Sequence, residues 1–247
     1  MRPLRAGVFA AGLGSRMRPA GSAGAPPKAL TPIVDRPLIE WVLRDIVAAG
    51  ASEIVVIVNE QSQSVCDFIT QAMPSCPVTW IVETTPSSMH SFLRVLETLA
   101  ASGDEGPFLM TTVDTIAPPG TFASFVDAAA HARPADMILA LTSRVDDDHP
   151  LTMRIGPMQS DCSADVVTVG EGPYATAGYY FVRASLLREA DAARRANLHA
   201  LRAFLRYAAD RGCTLRGICM PESIDVDRPG DVAPAAQLLR GSLGRVS

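Results

Sequence analysis

The sequence predicts an α/β protein: a single Rossmann-like, doubly wound domain over residues 1–247 with a mostly parallel mixed central sheet. Three observations carry this expectation. Short β-branched runs alternate with segments of helical periodicity along most of the chain. The middle runs are apolar on both faces, as strands covered by helices on either side must be. The 247 residues, 48% of them hydrophobic, can bury one sizeable core, and no linker, internal repeat or low-complexity segment divides them.

The elements follow in order. AGVFAAG (6–12) is a short apolar run that ends in glycine. After a long loop, PLIEWVLRDIVAAG (37–50) sets Leu38, Ile39, Val42, Leu43, Ile46 and Val47 at helical spacing. EIVVIVN (53–59) reads as a central strand and SVCDFITQA (64–72) as a helix. The alternation continues with strand VTWIV (78–82), helix SMHSFLRVLETLAA (88–101), strand PFLMTTVD (107–114), helix GTFASFVDAAAHA (120–132) and strand DMILALTS (136–143). From Asp146 to Pro173 the pattern weakens into polar and turn residues. ATAGYYFVR (175–183) then reads as a strand and LHALRAFLRYAADRG (198–212) as a helix, with Leu198, Leu201 and Leu205 on its buried face. TLRGICM (214–220) and PGDVAPAAQLLRGS (229–242) close with a strand and a helix.

Composition narrows the function. A formal net charge of −4 provides no basic field for a nucleic-acid backbone, so small molecules are the expected partners. Five cysteines without a C-x-x-C pair read as reduced, buried thiols. No run of about 20 apolar residues suggests a membrane span. Together these point to a cytoplasmic protein with no membrane partner; the oligomeric state is left open.

In sheets of this kind ligands bind at the carboxyl ends of the strands. After the first strand comes Ala10-Ala11-Gly12-Leu13-Gly14-Ser15-Arg16, where the glycines let backbone N–H groups approach an anion and Arg16 adds a planar fork of donors. Lys28 follows two prolines that stiffen its approach, and gives a second cation able to reach the same phosphates. The loop is not a dinucleotide fingerprint, because Met17 stands where a third glycine belongs. It is not a Walker A loop, because G-x-x-x-x-G-K-[ST] is absent. A plain turn is the bland alternative.

The ordered stretch FAAGLGSRMRP…PPKALTPIVDRPLIEWVL resembles the signature of the nucleotidyltransferase family that includes the nucleotide-sugar pyrophosphorylases, with Gly12, Gly14, Arg16, Pro19, Pro27, Lys28 and Leu30 matching its pattern. The resemblance implies a loop that wraps a nucleoside triphosphate through Ala10, Ala11, Gly12, Gly14 and Ser15. It also implies that Arg16 and Lys28 act catalytically by stabilising charge as pyrophosphate leaves. Such chemistry uses Mg2+, and the resemblance places its ligands at Asp114, which ends a strand, and Asp225 in SIDVDRPGDV. Taken alone, each aspartate reads as an ordinary strand-end turn or N-cap residue; its place in the ordered series makes it a ligand. Asp227 is a substitute ligand or an outer acceptor, and Asp231 a helix cap.

The pattern departs from the family in two places. The base-reading loop is represented by Glu83 and Ser88, the latter where glycine is common. A carboxylate accepts but does not donate hydrogen bonds, which selects no single base. SSMHSF also resembles the matching segment of phosphocholine and related cytidylyltransferases at His90 and Ser91; His90 reads either as a ligand contact or as a packing residue. On the acceptor side, Glu171 and Gly178 match the family's E-K-P and N-A-G-[IL]-Y segments, but Gly172 replaces the lysine expected to hold the acceptor phosphate. Arg154 reads as a substitute cation or a solvated strand residue. His131, His149 and His199 have no metal-ligand spacing.

The expectation is an Mg2+-dependent nucleotidyltransferase. Its substrates are a nucleoside triphosphate and a phosphorylated acceptor, with a sugar 1-phosphate first. The alternatives are a cytidylyltransferase acting on phosphocholine or another alcohol phosphate, and a non-catalytic nucleotide- or sugar-binding module of the same fold.

Overall fold

A computed structural model describes residues 3–12, 14–17, 26–101, 103–143 and 150–243. Pro19 and His149 lie outside the described residues, as does the side chain of Ser15. In chain order the strands are β1 (Leu4–Ala10), β2 (Pro32–Ile33), β3 (Arg36–Pro37), β4 (Ala51–Val58), β5 (Val78–Val82), β6 (Phe108–Thr112), β7 (Thr115–Ile116), β8 (Met137–Thr142), β9 (Thr152–Ile155), β10 (Ser163–Val169), β11 (Tyr174–Val182), β12 (Leu215–Cys219) and β13 (Ile224–Asp225). The α-helices are α1 (Leu38–Ala48), α2 (Gln63–Ala72), α3 (Ser88–Ala100), α4 (Thr121–His131), α5 (Ala190–Arg195), α6 (Leu201–Asp210) and α7 (Val232–Leu243).

Nine strands form one sheet in the order β5-β4-β1-β6-β11-β8-β12-β10-β9. β5, β4, β1 and β6 are parallel neighbours, as are β8 and β12. β11 runs antiparallel to β6 and β8, and β10 antiparallel to β12 and β9. The period-2 geometry of β4 shows why its run is apolar throughout. Ile54, Val56 and Val58 enter a core with α1, α2 and α4, whereas Val55 and Ile57 enter a second core with α3 and α6. Helices therefore cover both faces of a mixed sheet.

A third, smaller cluster positions the site. Ile224 and Val226 alternate with Asp225 and Asp227, and the two apolar side chains pack with Ile33, Leu38, Trp41, Ile116, Ala235 and Leu239. Burying side chains of this size contributes roughly 1.5–3 kcal/mol each. That anchorage turns the two intervening aspartates to the other side of the chain, and β13 pairs with β7 so that Asp225 stands opposite Thr115.

Two expectations need correction, and one stretch carries elements that had not been read. The segment that read as polar and irregular contains β9 and β10, which pair with each other at one end of the sheet and are only partly covered, so their apolar signal is weak. After β11 the chain forms a 3-10 turn (Ala184–Glu189) and α5, which pack Leu186, Ala190 and Ala193 against the core. The thiols are all free, but only Cys66 and Cys213 are buried, and Cys162 and Cys219 are exposed.

Candidate active site

The carboxyl ends of β1 and β6 open into a cleft of about 630 Å³. Ala10, Ala11, Gly12, Gly14, Arg16, Lys28, Ser88, Asp114, Gly178 and Asp225 all line it, so the structure gathers most of the residues singled out in the sequence. They come from six separate stretches of the chain.

The loop after β1 turns at Gly14, whose φ of +61° suits glycine. A β-carbon there would lie 2.7 Å from Lys28 Cβ, so this glycine also lets the two cation-bearing segments touch. Residues Ser15–Met17 make one 3-10 turn closed by the Met17 N–H donating to Gly14 O at 3.0 Å, and Arg16 projects from it. Pro27 holds an extended backbone before the short Lys28–Leu30 turn, which fixes where Lys28 enters. Asn59, buried after β4, donates to Ala11 O at 3.2 Å and braces the loop from beneath.

The charged groups are connected. Lys28 is 8% exposed; its Nζ donates to Asp114 Oδ2 at 2.5 Å and also to Asp227 Oδ1. Burial alone would lower the Lys28 ammonium, but the Asp114 and Asp227 carboxylates outweigh it and hold the pKa raised. For Asp114, burial pushes upward and the Lys28 charge and hydrogen bond prevail, leaving a depressed carboxyl. Asp225 accepts from Thr115 Oγ1 at 2.8 Å and opens onto the cleft. The surrounding protein, and then the Asp114 charge, push it up to about 7. Arg16 reaches Asp227 Oδ2 at 3.2 Å.

Asp114 and Asp225 are hard oxygen donors backed by neighbouring strands β6 and β7–β13, a donor type that suits Mg2+. Among the described residues no cluster of three or more His, Cys, Asp or Glu side chains forms a candidate metal site. Two carboxylates leave the remaining positions of an octahedral ion to water and phosphate oxygens.

Two predicted residues fall outside the cleft lining. Glu83 pairs with Arg94 at 3.0 Å on α3, where both side chains are about half exposed. Glu171 is taken by an exposed ion pair with Arg154. Ser88 lines the cleft, but its hydroxyl also accepts from the Leu201 N–H at 3.1 Å and so joins α3 to the start of α6. His90 is bonded to Ser87 Oγ at 2.9 Å, its pKa lowered by burial, Arg194 and His199. Sequence reasoning passed over Thr115, Tyr180 and Arg202. The last two also line the cleft and lacked a motif of their own, since each is brought there by tertiary packing.

A family model described as the MobA-like NTP transferase domain matches residues 6–207. The CMP-5'-(3-aminopropyl)phosphonate synthase of Streptomyces rubellomurinus is 28% identical over 192 residues, covering 76% of this chain and 29% of that protein. The chain spans under a third of the length of the curated relatives it matches. A UDP-glucose pyrophosphorylase solved with UDP-glucose superposes with a TM-score of 0.77 at 17% identity, over 95% of this chain and 97% of that one. The inositol-1-phosphate CTP transferase from T. maritima superposes with a TM-score of 0.75 at 17% identity, over 95% of each chain. At that identity the likeness is one of fold.

Proposed function

The chain belongs to the family of MobA-like NTP transferase domains, and on that footing we propose that it moves a nucleoside monophosphate from a nucleoside triphosphate to a phosphorylated small molecule. The observation that carries this reading is the convergence of the glycine loop, Arg16, Lys28, Asp114 and Asp225 on one cleft. A phosphate oxygen of the acceptor attacks the α-phosphorus. The new P–O bond forms as the bond to the β-phosphate bridge breaks, and pyrophosphate leaves with the electron pair. No side-chain nucleophile is required, because the acceptor is already an anion; alignment and charge neutralisation are what remain for the protein.

Arg16 and Lys28 supply donors for the β- and γ-phosphates, and backbone N–H groups of the loop approach the same anion. Asp114 and Asp225 would hold Mg2+, which when bound neutralises phosphate charge. Thr115 keeps Asp225 oriented through its hydroxyl. Residues 1–247 read as one doubly wound nucleotidyltransferase domain. A cytoplasmic setting is part of the same reading, supported by five free cysteines; no described helix is long and apolar enough to cross a membrane.

A sugar 1-phosphate is the first acceptor class. A second, a small alcohol phosphate or phosphonate used with CTP, is favoured by the acceptor side. Glu171 is turned onto Arg154, Gly172 offers no side chain, and the synthase among the relatives is named for a CMP-phosphonate. In either reading Arg202, on the first turn of α6, lines the cleft and is the side chain we assign to the acceptor phosphate. The test is pyrophosphate release with each NTP against a panel of sugar phosphates, alcohol phosphates and phosphonates with Mg2+. Turnover with one donor–acceptor pair is the expected result; tight nucleotide binding with no turnover on any acceptor would make the protein a binding module.

A further inference from the structure

Asp227 accepts from Lys28 Nζ and, through its other oxygen, from Arg16 Nη1 at 3.2 Å. These are the two cations that the proposed reaction assigns to the triphosphate. One carboxylate therefore occupies both of them at once, much as a phosphate group would.

The carboxylate is held on a fixed piece of backbone. The Asp227 N–H donates to Asp231 Oδ2 at 2.9 Å and the Arg228 N–H to the same oxygen at 2.7 Å. Val226 is fully buried next door in the cluster that includes α7. Lys28 is equally fixed, since it is buried and its stem lies against Gly14. Lys28 already commits two of its three N–H donors, to Asp114 and Asp227, so a triphosphate that draws on Lys28 and Arg16 competes with Asp227 for them.

We propose that Asp227 is a stand-in anion: a positioning residue that holds Arg16 and Lys28 in place in the free protein and is displaced by the polyphosphate of the donor. The inference rests on the function proposed above. It has a consequence for ligand choice. A single phosphate offers little more than Asp227 already provides, whereas pyrophosphate and triphosphate bring enough charge and enough acceptor atoms to win both cations. The free cleft then discriminates against orthophosphate and in favour of polyphosphates.

The test is calorimetric titration of the full chain with inorganic pyrophosphate in metal-free buffer, using wild type, Asp227→Asn, Arg16→Ala and the double variant. Asp227→Asn keeps the side chain's size and removes its charge, and Asp227→Ser is a second route should the amide lower the melting temperature. The expected result is pyrophosphate affinity at least fivefold tighter in Asp227→Asn, with that gain at least halved when Arg16 is absent, because direct competition makes the two substitutions non-additive. Equal or weaker binding by Asp227→Asn overturns this inference alone. A gain of the same size in both backgrounds also overturns it, because it marks a diffuse field effect. Absence of pyrophosphate binding in every variant overturns this inference, whereas the proposed function, whose donor arrives with Mg2+, stands or falls on the turnover test above.

Discussion

Lys28 Nζ and Asp114 Oδ2 lie 2.5 Å apart, so the cation of the phosphate loop and the carboxylate at the end of β6 form one unit before any ligand arrives. Lys28→Ala is therefore expected to act twice. Losing a donor aimed at the departing pyrophosphate lowers kcat by about 10²–10³. Leaving Asp114 beside Asp225 and Asp227 without its counter-ion costs on the order of 1–3 kcal/mol of stability. Steady-state pyrophosphate release and thermal melting measure the two separately. A variant with wild-type turnover would remove Lys28 from the mechanism.

Asp225 has less to hold it. Its surroundings and the Asp114 charge both disfavour its ionised form, and Thr115 gives one hydrogen bond in return. Asp225→Asn is expected to melt no lower than wild type in metal-free buffer while losing most turnover. A ligand that binds only the folded state raises stability by mass action. Adding millimolar Mg2+ should then raise the melting temperature of wild type and leave that of Asp225→Asn nearly unchanged. An equal Mg2+-dependent rise in both would place the ion elsewhere.

Just before β8, an interior strand of the sheet, Asp136 takes five hydrogen bonds: two from Arg188 at 2.7 and 2.9 Å, one from Ser185 Oγ at 2.5 Å, and two from Thr214. The Arg188 bond chiefly, against burial, holds its carboxyl well below the usual range. A depressed pKa stabilises the fold at pH values above the unfolded value of about 3.9, and that contribution is lost as pH falls below it. Asp136→Asn is expected to lose about 2 kcal/mol at pH 7, the scale of a charged hydrogen-bond set. The gap to wild type should close between about pH 4 and 2, as wild type gives up the same interaction. Melting curves across that range check both the size and the sign; a gap that widens on acidification would refute the assignment.

Tyr179 is fully buried between Phe122 and Phe125, each with its ring centroid 5.1 Å away. Its hydroxyl is the buried side-chain polar atom without a hydrogen-bond partner among the described residues. Stranding a hydroxyl in an apolar site costs about 1–3 kcal/mol, whereas the ring packing survives its removal. Tyr179→Phe should therefore be neutral or stabilising by up to about 1 kcal/mol, a rise of roughly 2–4 °C in Tm for a chain of this size. A fall in Tm would show that the hydroxyl has a partner.

Local chemistry explains what the sequence disclosed. The loop after β1 was legible because glycine, arginine and a proline-guided lysine do work there that few other residues can do, and the central strands because burial on both faces forces continuous apolar runs. β9 and β10 were not legible, since a partly covered strand needs no such run. Glu83 and Glu171 stand outside the cleft lining: each meets an arginine, Arg94 and Arg154, that no periodic pattern couples to it. The tie from Asp227 to Lys28 spans 199 residues and depends on how α7 and β13 dock, which no local pattern encodes.

Gly172 decides whether the usual acceptor lysine can be restored. Its φ is +138°, and a β-carbon there would stand 2.1 Å from Met153 O, 2.2 Å from Met153 C and 2.5 Å from Arg154 N. All three are backbone atoms of β9, which pairs with β11 two residues further on, at Tyr174. No rotamer change relieves such a contact; the strand itself must move. Gly172→Lys and Gly172→Ala should therefore lose similar amounts of stability, on the order of 2–4 kcal/mol, because the shared β-carbon causes the damage. Gly172→Lys should gain no affinity for any phosphorylated acceptor, whereas Arg202→Ala should raise the acceptor KM about tenfold with little change in the KM for the nucleotide. Melting curves for the first pair and initial rates over both substrates for Arg202→Ala give the answer. A Gly172→Lys protein that melts like wild type and binds acceptor more tightly would mean that β9 yields easily and that the cleft accepts the lysine after all.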